Sequence, residues 1–281
     1  MVYNRYGAGF KMLREERGLS SKAFEEIGLK SKTLNRFEKG ETMLSFNVLD
    51  EALQLIGVSL HEYSYILNNG QNDYFIELFE EIDQAFYVED INRLKIIFET
   101  NIQYPENHLI ALSAKACYDS LDASEQEEVS EYLFKIEHWG AKELWIFTDT
   151  IDQLSNALIH ELLDEFLVKS GYFYNIPDYN RLIVQAALNG IIGFISQQGS
   201  KTEVFHIINE VEKALYEVDT YGRIVLHFAK GYAFYEFGEQ EKGDKLMRET
   251  IELFNILGCK FLKEKYQKFY FKIIQNESGQ I

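Results

Sequence analysis

Proline, cysteine and positive charge are all scarce in this chain of 281 residues. Its two prolines are Pro105 and Pro177. Proline removes a backbone donor and clashes with the preceding turn of a helix, so a chain this poor in it leaves long helices uninterrupted. The two cysteines, Cys117 and Cys259, lie far apart and neither belongs to a CxxC pair. They are expected to be reduced core thiols of a cytoplasmic protein. Long apolar runs are also missing. No stretch of about 18 apolar residues could span a bilayer, and the opening MVYNRYGAGFKMLREERG turns charged almost at once, unlike a signal peptide. No membrane partner is expected.

Metal and nucleophile motifs are lacking as well. The six histidines (His61, His108, His138, His160, His206 and His227) show no HExxH or other ligand spacing. No Ser, His and Asp set stands out. The stretch GFISQQGSKT (193–202) has five residues between its glycines instead of four, and it follows a helical pattern rather than a strand. The GAG at 7–9 lacks the third glycine and the strand of a dinucleotide fingerprint. Catalysis and a bound cofactor are therefore not expected.

What is present is apolar and acidic. Hydrophobic residues make up 46% of the chain and aromatics 15%, with 21 Phe and 18 Tyr, which marks a globular protein. The formal net charge is −17, but it is unevenly placed. Residues 1–40 hold nine basic side chains against five acidic, a balance of +4, and residues 41–68 add four acids, which brings 1–68 to neutrality. All of the negative charge belongs to 69–281. An acidic body repels a polyanion at long range, while a cationic patch at one end can still dock on it.

The pattern throughout is helical. In the first 67 residues, five short helices are expected. The first runs from about Arg5 to Arg17 and stops at Gly18, the second is KAFEEIG behind Ser20 and Ser21, and the third opens at Ser31 and ends at Gly40. The fourth spans about Ser45 to Ile56 and the fifth about Leu60 to Leu67. A polar run, NNGQND (68–73), reads as a linker. From 74 to 281, eleven segments carry apolar residues at three- and four-residue spacing, with no competing alternation of period two. The segment 225–258 places Gly231, Phe234 and Tyr235, Gly238, Gly243 and Met247 in the order of small and large residues of a tetratricopeptide unit, and 186–215 is a looser copy. The expected fold is all-α: a helix-turn-helix domain at 1–67, a linker at 68–73 and a helical-repeat domain at 74–281 for ligand sensing and dimerisation.

The second and third helices suit a helix-turn-helix. If Leu34 and Phe37 face the core, the helical period turns Lys32, Thr33 and Arg36 outward, with Ser31 and Asn35 beside them. Such side chains bond phosphates and base edges in a major groove. Residues 5–67 resemble the Xre-type helix-turn-helix family of phage repressors and bacterial regulators. The likeness is carried by Leu13-Arg14, Gly18-Leu19-Ser20, Ser31 to Gly40 (SKTLNRFEKG) and Leu55-Ile56-Gly57-Val58-Ser59. It implies a structural pair between Arg14 and Glu38. It also implies a phosphate contact at the start of the second helix, where the family's usual glutamine is replaced by Ser21, followed by Lys22.

The whole chain, with LFKIEHWGAKELWIFTDTI at 133–151 and YNRLIVQAALNGIIGF at 179–194, is similar to the Rgg family of Gram-positive regulators. That resemblance implies a homodimeric cytoplasmic transcription factor that binds double-stranded promoter DNA. It also implies a short hydrophobic signalling peptide on the concave face of a tetratricopeptide-like domain, as in quorum sensing. Residues suited to hold a peptide backbone or a charge are Asn156, Asn180, Arg181, Asn189 and Arg223, with Phe147, Tyr179 and Tyr221 as walls. Where related regulators carry an Asn-Arg pair after the tryptophan-containing helix, this chain has Thr148-Asp149-Thr150, which points to a different peptide or none. Two other functions remain open at this stage. One is a DNA-binding regulator without a peptide, its second domain a dimerisation scaffold or a pH or small-molecule sensor. The other is a protein-interaction adaptor.

Overall fold

The structure, a computed structural model, describes residues 4–155, 158–159, 161–162, 169, 176–196 and 199–276, and apolar spacing of three and four residues gives helices joined by short turns there. Among these residues there is no strand. The chain divides into two compact units, Met1–Glu77 and Leu78–Ile281.

The first unit contains α1 (Asn4–Glu16), a 3-10 helix (Ser21–Ile27), α2 (Ser31–Glu38), α3 (Phe46–Leu55) and α4 (Leu60–Leu67). The second of the five expected helices is thus present but wound as a 3-10 helix. Phe10, Phe24, Leu34, Phe37, Ala52 and Leu53 are fully buried at its centre. The Phe10 ring meets Phe24 edge-on at 5.6 Å and Phe37 at 5.9 Å, which joins α1, the 3-10 helix and α2 through one cluster. Each such ring contributes roughly 1.5–3 kcal/mol by leaving water. The Tyr63 hydroxyl donates to the Tyr6 carbonyl at 2.6 Å and ties α4 to α1. Gly7 lets α1 approach α2 closely, since a Cβ there would lie 1.9 Å from the Phe37 carbonyl oxygen. The GAG of the sequence is therefore a packing site within α1. Ser59 and Glu62 form a capping box at the start of α4.

The boundary between the units falls within α5 (Tyr74–Tyr87). The second unit continues with α6 (Ile91–Asn101), α7 (His108–Ala116), α8 (Ala123–Lys135), α9 (Ala141–Thr150) and a 3-10 turn (Ile151–Gln153). Then come α10 (Pro177–Ser196), α11 (Lys201–Ala214), α12 (Thr220–Glu236), α13 (Gln240–Ile256) and α14 (Lys260–Asn276). Neighbours in sequence pack in pairs, α6 on α7, α12 on α13 and α13 on α14, while α10 lies against α9, α11 and α12. This nearest-neighbour stacking is the arrangement of a helical-repeat protein. The small residues of 225–258 meet as a tetratricopeptide unit requires. A Cβ on Gly243 would lie 2.3 Å from the Tyr235 nitrogen and 2.5 Å from the Gly231 oxygen, and one on Gly231 would lie 2.9 Å from Met247. The segment expected as a helix at 155–171 lies largely outside the described residues.

Candidate functional site

In the first unit the period of α2 separates two faces. Leu34 and Phe37 are fully buried, and Lys32, Thr33, Asn35 and Arg36 are exposed. Lys22 is exposed and Ser21 half-buried on the 3-10 helix. The turn between the two elements passes through Gly28, which is left-handed at φ 76°. Ser31 does not cap α2, since the capping position is Lys30 and has no side-chain bond. As first residue of the helix, Ser31 instead donates its hydroxyl to Glu25 Oε1 at 2.7 Å, and that bond lowers the Glu25 carboxyl pKa. Arg36 makes a solvated ion pair with Glu41 at 3.3 Å.

Behind this face, Arg14 and Glu38 form the two-pronged pair that the family resemblance implied. Arg14 Nε donates to Glu38 Oε1 at 2.6 Å and Nη2 to Oε2 at 2.9 Å, with side chains 9% and 4% exposed. Nη1 also donates to the Leu19 carbonyl at 2.6 Å, at the end of the α1 turn. The hydrogen bond it donates to Glu38 holds the Arg14 pKa above its ordinary value against the opposing effect of burial.

The second unit contains an open cavity of about 650 Å³. Its described walls come from α5, the end of α7, α9, the 3-10 turn, α10 and α14. Phe86, Tyr87, Phe261, Tyr266 and Phe269 provide aromatic surface, and Gln153 and Asn189 provide amide groups. Three carboxylates, Asp83, Asp149 and Asp152, share this space with the Lys265 ammonium, and Cys117 lies beside them. At the rim Glu89 is paired with Lys268 at 2.7 Å, and Glu264 and Lys272 face solvent.

Burial dominates the electrostatics of the cavity. It pushes the Asp83 carboxyl up to about 6, opposed by a hydrogen bond from Trp145 Nε1 at 3.3 Å. It raises Asp149 well above the carboxylate range, with the Asp83 charge adding to the effect, and it raises Asp152. It lowers Lys265, which the carboxylates, Asp83 foremost, pull back toward the charged form. The Lys265 ammonium lies 5.4 Å from the Phe86 ring and 5.5 Å from the Tyr87 ring, within cation–π range. Burial also pushes the Cys117 thiol up, as suits an unreactive thiol; both cysteines are free.

Of the residues considered for a peptide, Asp149 and Asn189 line the cavity. Phe147 is fully buried against Trp139 at 5.3 Å. Asn180 is buried in α10 and Arg181 exposed on it. Tyr179 lies 4.0 Å from where a Gly140 side chain would begin. Tyr221 packs against Phe254 at 6.4 Å. Arg223 caps the end of α11, donating to the Leu215 and Tyr216 carbonyls at 3.2 Å each. Asn156 lies outside the described residues. Asp83, Asp152 and Lys265 were not singled out in the sequence. One signal was available: Asp83 interrupts the buried stripe Phe79, Ile82, Ala85 on α5. No group of three or more metal-ligating side chains occurs among the described residues, and no described helix is long and apolar enough to cross a membrane.

A helix-turn-helix head and an all-helical repeat unit around a cavity define the class as a two-part helix-turn-helix protein. Residues 92–268 match the family "HTH-type transcriptional regulator Rgg, C-terminal domain", and residues 10–63 match the helix-turn-helix family. The chain belongs to the Rgg family of transcriptional regulators. Its fold is that of several solved structures. A variant of the Streptococcus dysgalactiae SHP pheromone receptor Rgg2 aligns over 95% of this chain and 99% of that one, at 20% identity and a TM-score of 0.81. A putative transcriptional regulator from Listeria monocytogenes EGD-e aligns over 98% of this chain and 99% of that one, at 16% identity and a TM-score of 0.81. ComR from S. thermophilus, in complex with DNA and its signalling peptide ComS, aligns over 95% and 99%, at 13% identity and a TM-score of 0.63.

Proposed function

We propose that this regulator binds an operator as a cytoplasmic homodimer through α2 and is controlled by a short peptide held in the cavity of its second unit. The observation that carries the DNA-binding part is the division of α2. Its buried Leu34 and Phe37 anchor the helix, which leaves Lys32, Thr33, Asn35 and Arg36 exposed toward a major groove, with Ser21 and Lys22 on the preceding element for phosphate. Ser31 would first have to give up Glu25. One short helix reads too few base pairs for useful specificity, so two heads on a paired site are needed.

The peptide part rests on the cavity. At about 650 Å³, with aromatic walls and a few convergent polar groups, it has the size and make-up of a ligand site. A peptide there regulates DNA binding if it favours one arrangement of the chain over another, by as much as its affinity for the two differs. The similar fold of the pheromone receptor Rgg2 and of ComR with its signalling peptide supports this reading.

The test is a gel shift on DNA upstream of the protein's own gene. Arg36→Ala gives up only a solvated contact with Glu41 in the free protein, so its folding is unchanged, and binding falls by about 1–3 kcal/mol, roughly 5- to 150-fold. Binding that is unaffected by Arg36→Ala and by salt would defeat the assignment of α2.

A further inference from the structure

Among the described residues that line the cavity, five carboxyl groups (Asp83, Glu89, Asp149, Asp152 and Glu264) stand against three lysines (Lys265, Lys268 and Lys272). The Lys265 ammonium interacts most with Asp83 and then with Asp152, leaving Asp149 for last. Asp83 has a second partner in Trp145. Asp149 does not. Its Oδ2 atom is buried and has no hydrogen-bond partner among the described residues, although nearly all buried polar atoms in folded proteins have one. A buried carboxylate without a counter-charge is costly, whether it ionises or takes up a proton. It is also the group that gains most from a cation brought to it, because the surrounding dielectric is low. Among the described residues the rim lysines serve other carboxylates: Lys268 is engaged by Glu89, and Lys272 acts on Asp152. The aromatic walls are compatible with a positive group, as their contact with Lys265 shows.

We propose that the peptide taken by this cavity is a cationic one, with a lysine or arginine side chain or a free amino terminus that docks on Asp149 Oδ2. The inference rests on the reading that the cavity binds a peptide, and it specifies the charge of that peptide. An apolar remainder matches the aromatic walls, and Asn189 and Gln153 are placed to bond the peptide backbone. Asp149 is thus a specificity-determining residue. The high carboxyl pKa of Asp149 agrees with this role, because a cation would displace the proton that burial now favours.

The experiment uses the full chain, immobilised and challenged with pools of apolar octapeptides randomised at one position. One pool has free amino termini and one is N-acetylated, and retained peptides are identified by mass spectrometry. The expected result is enrichment of lysine and arginine at the random position, surviving acetylation if the side chain docks. If the terminus docks, retention occurs only in the free-amine pool. Asp149→Asn, nearly isosteric, abolishes the discrimination, with a loss of about 30-fold or more in affinity for the selected peptide measured by fluorescence polarisation. The same variant melts no lower than wild type, because it removes an unpaired carboxylate; a residue with only a structural role would lower the melting temperature. Retention of neutral or acidic peptides equally well from both pools, or unchanged affinity in Asp149→Asn, overturns the cationic assignment and leaves peptide binding standing. No retention above a blank support from any pool defeats the peptide reading itself.

Discussion

Replacing Glu38 by alanine leaves the Arg14 guanidinium in place with its counter-charge removed. In the intact head the pair is bidentate, at 2.6 and 2.9 Å, with both side chains at least nine-tenths buried. After the substitution Arg14 retains the Leu19 carbonyl at 2.6 Å and Glu15 at 3.4 Å, the latter 56% exposed and therefore weak. Removing one partner of a buried pair costs about 3–5 kcal/mol, because the remaining charge stays desolvated. For a unit of this size each kcal/mol lowers the melting temperature by roughly 4–8 °C, so the head should melt more than ~10 °C earlier. Two probes separate the units. Both tryptophans, Trp139 and Trp145, belong to the second unit, so their fluorescence should be unchanged, while hydrogen exchange of peptides from α1 and α2 accelerates. The double variant Arg14→Met, Glu38→Leu should recover most of the loss, because no charge is left buried. If Glu38→Ala costs less than about 1 kcal/mol, the pair behaves as an exposed one and the reasoning from burial fails.

Two further perturbations act in the second unit. Gly243→Ala places a methyl group within 2.5 Å of backbone atoms on α12, which cannot swing away. It should destabilise the α12–α13 pair by about 2 kcal/mol or more, read as a lower urea midpoint of Trp fluorescence; an unchanged midpoint would show that the helices separate freely. Asp83→Asn tests the acid cluster formed with Asp149, Asp152, Lys265 and Cys117. The folded-state pKa of about 6 lies above the ordinary 3.8, so the group's contribution to stability is present at low pH and is lost as pH rises through about 6. Asparagine removes that dependence, and the variant should exceed wild type by roughly 1–3 kcal/mol at pH 7.5, with no difference near pH 3.5. Wild type that is the more stable of the two at pH 7.5 would refute this.

Much of the fold was legible in the residues because helical period is a local property. The spacing of Phe10 and Leu13, of Leu34 and Phe37, and of Leu49, Ala52 and Leu53 determined which sides of these helices are buried, and with them the outward turn of Lys32 and Arg36. Gly231, Gly243 and Met247 likewise announced a close helix pair, because only small residues permit it. The tighter winding of the second element of the head, a 3-10 helix instead of an α-helix, was not legible, nor was the bond from Ser31 to Glu25.

The cavity was decided by tertiary structure. Phe147 and Asp149 are two residues apart on α9, about 200° around the helix, so one enters the core and the other the cavity. The period shows that the two face differently, but not what covers each. Lys265 comes from α14, more than a hundred residues later, and its packing favours Asp83 and Asp152 over Asp149, whose Oδ2 has no hydrogen-bond partner among the described residues. By itself the sequence determined an acidic protein of helical pattern whose first 40 residues carry a net positive charge. The charge inside its cavity is a sum over helices distant in the chain, and such sums exist only once the helices have packed.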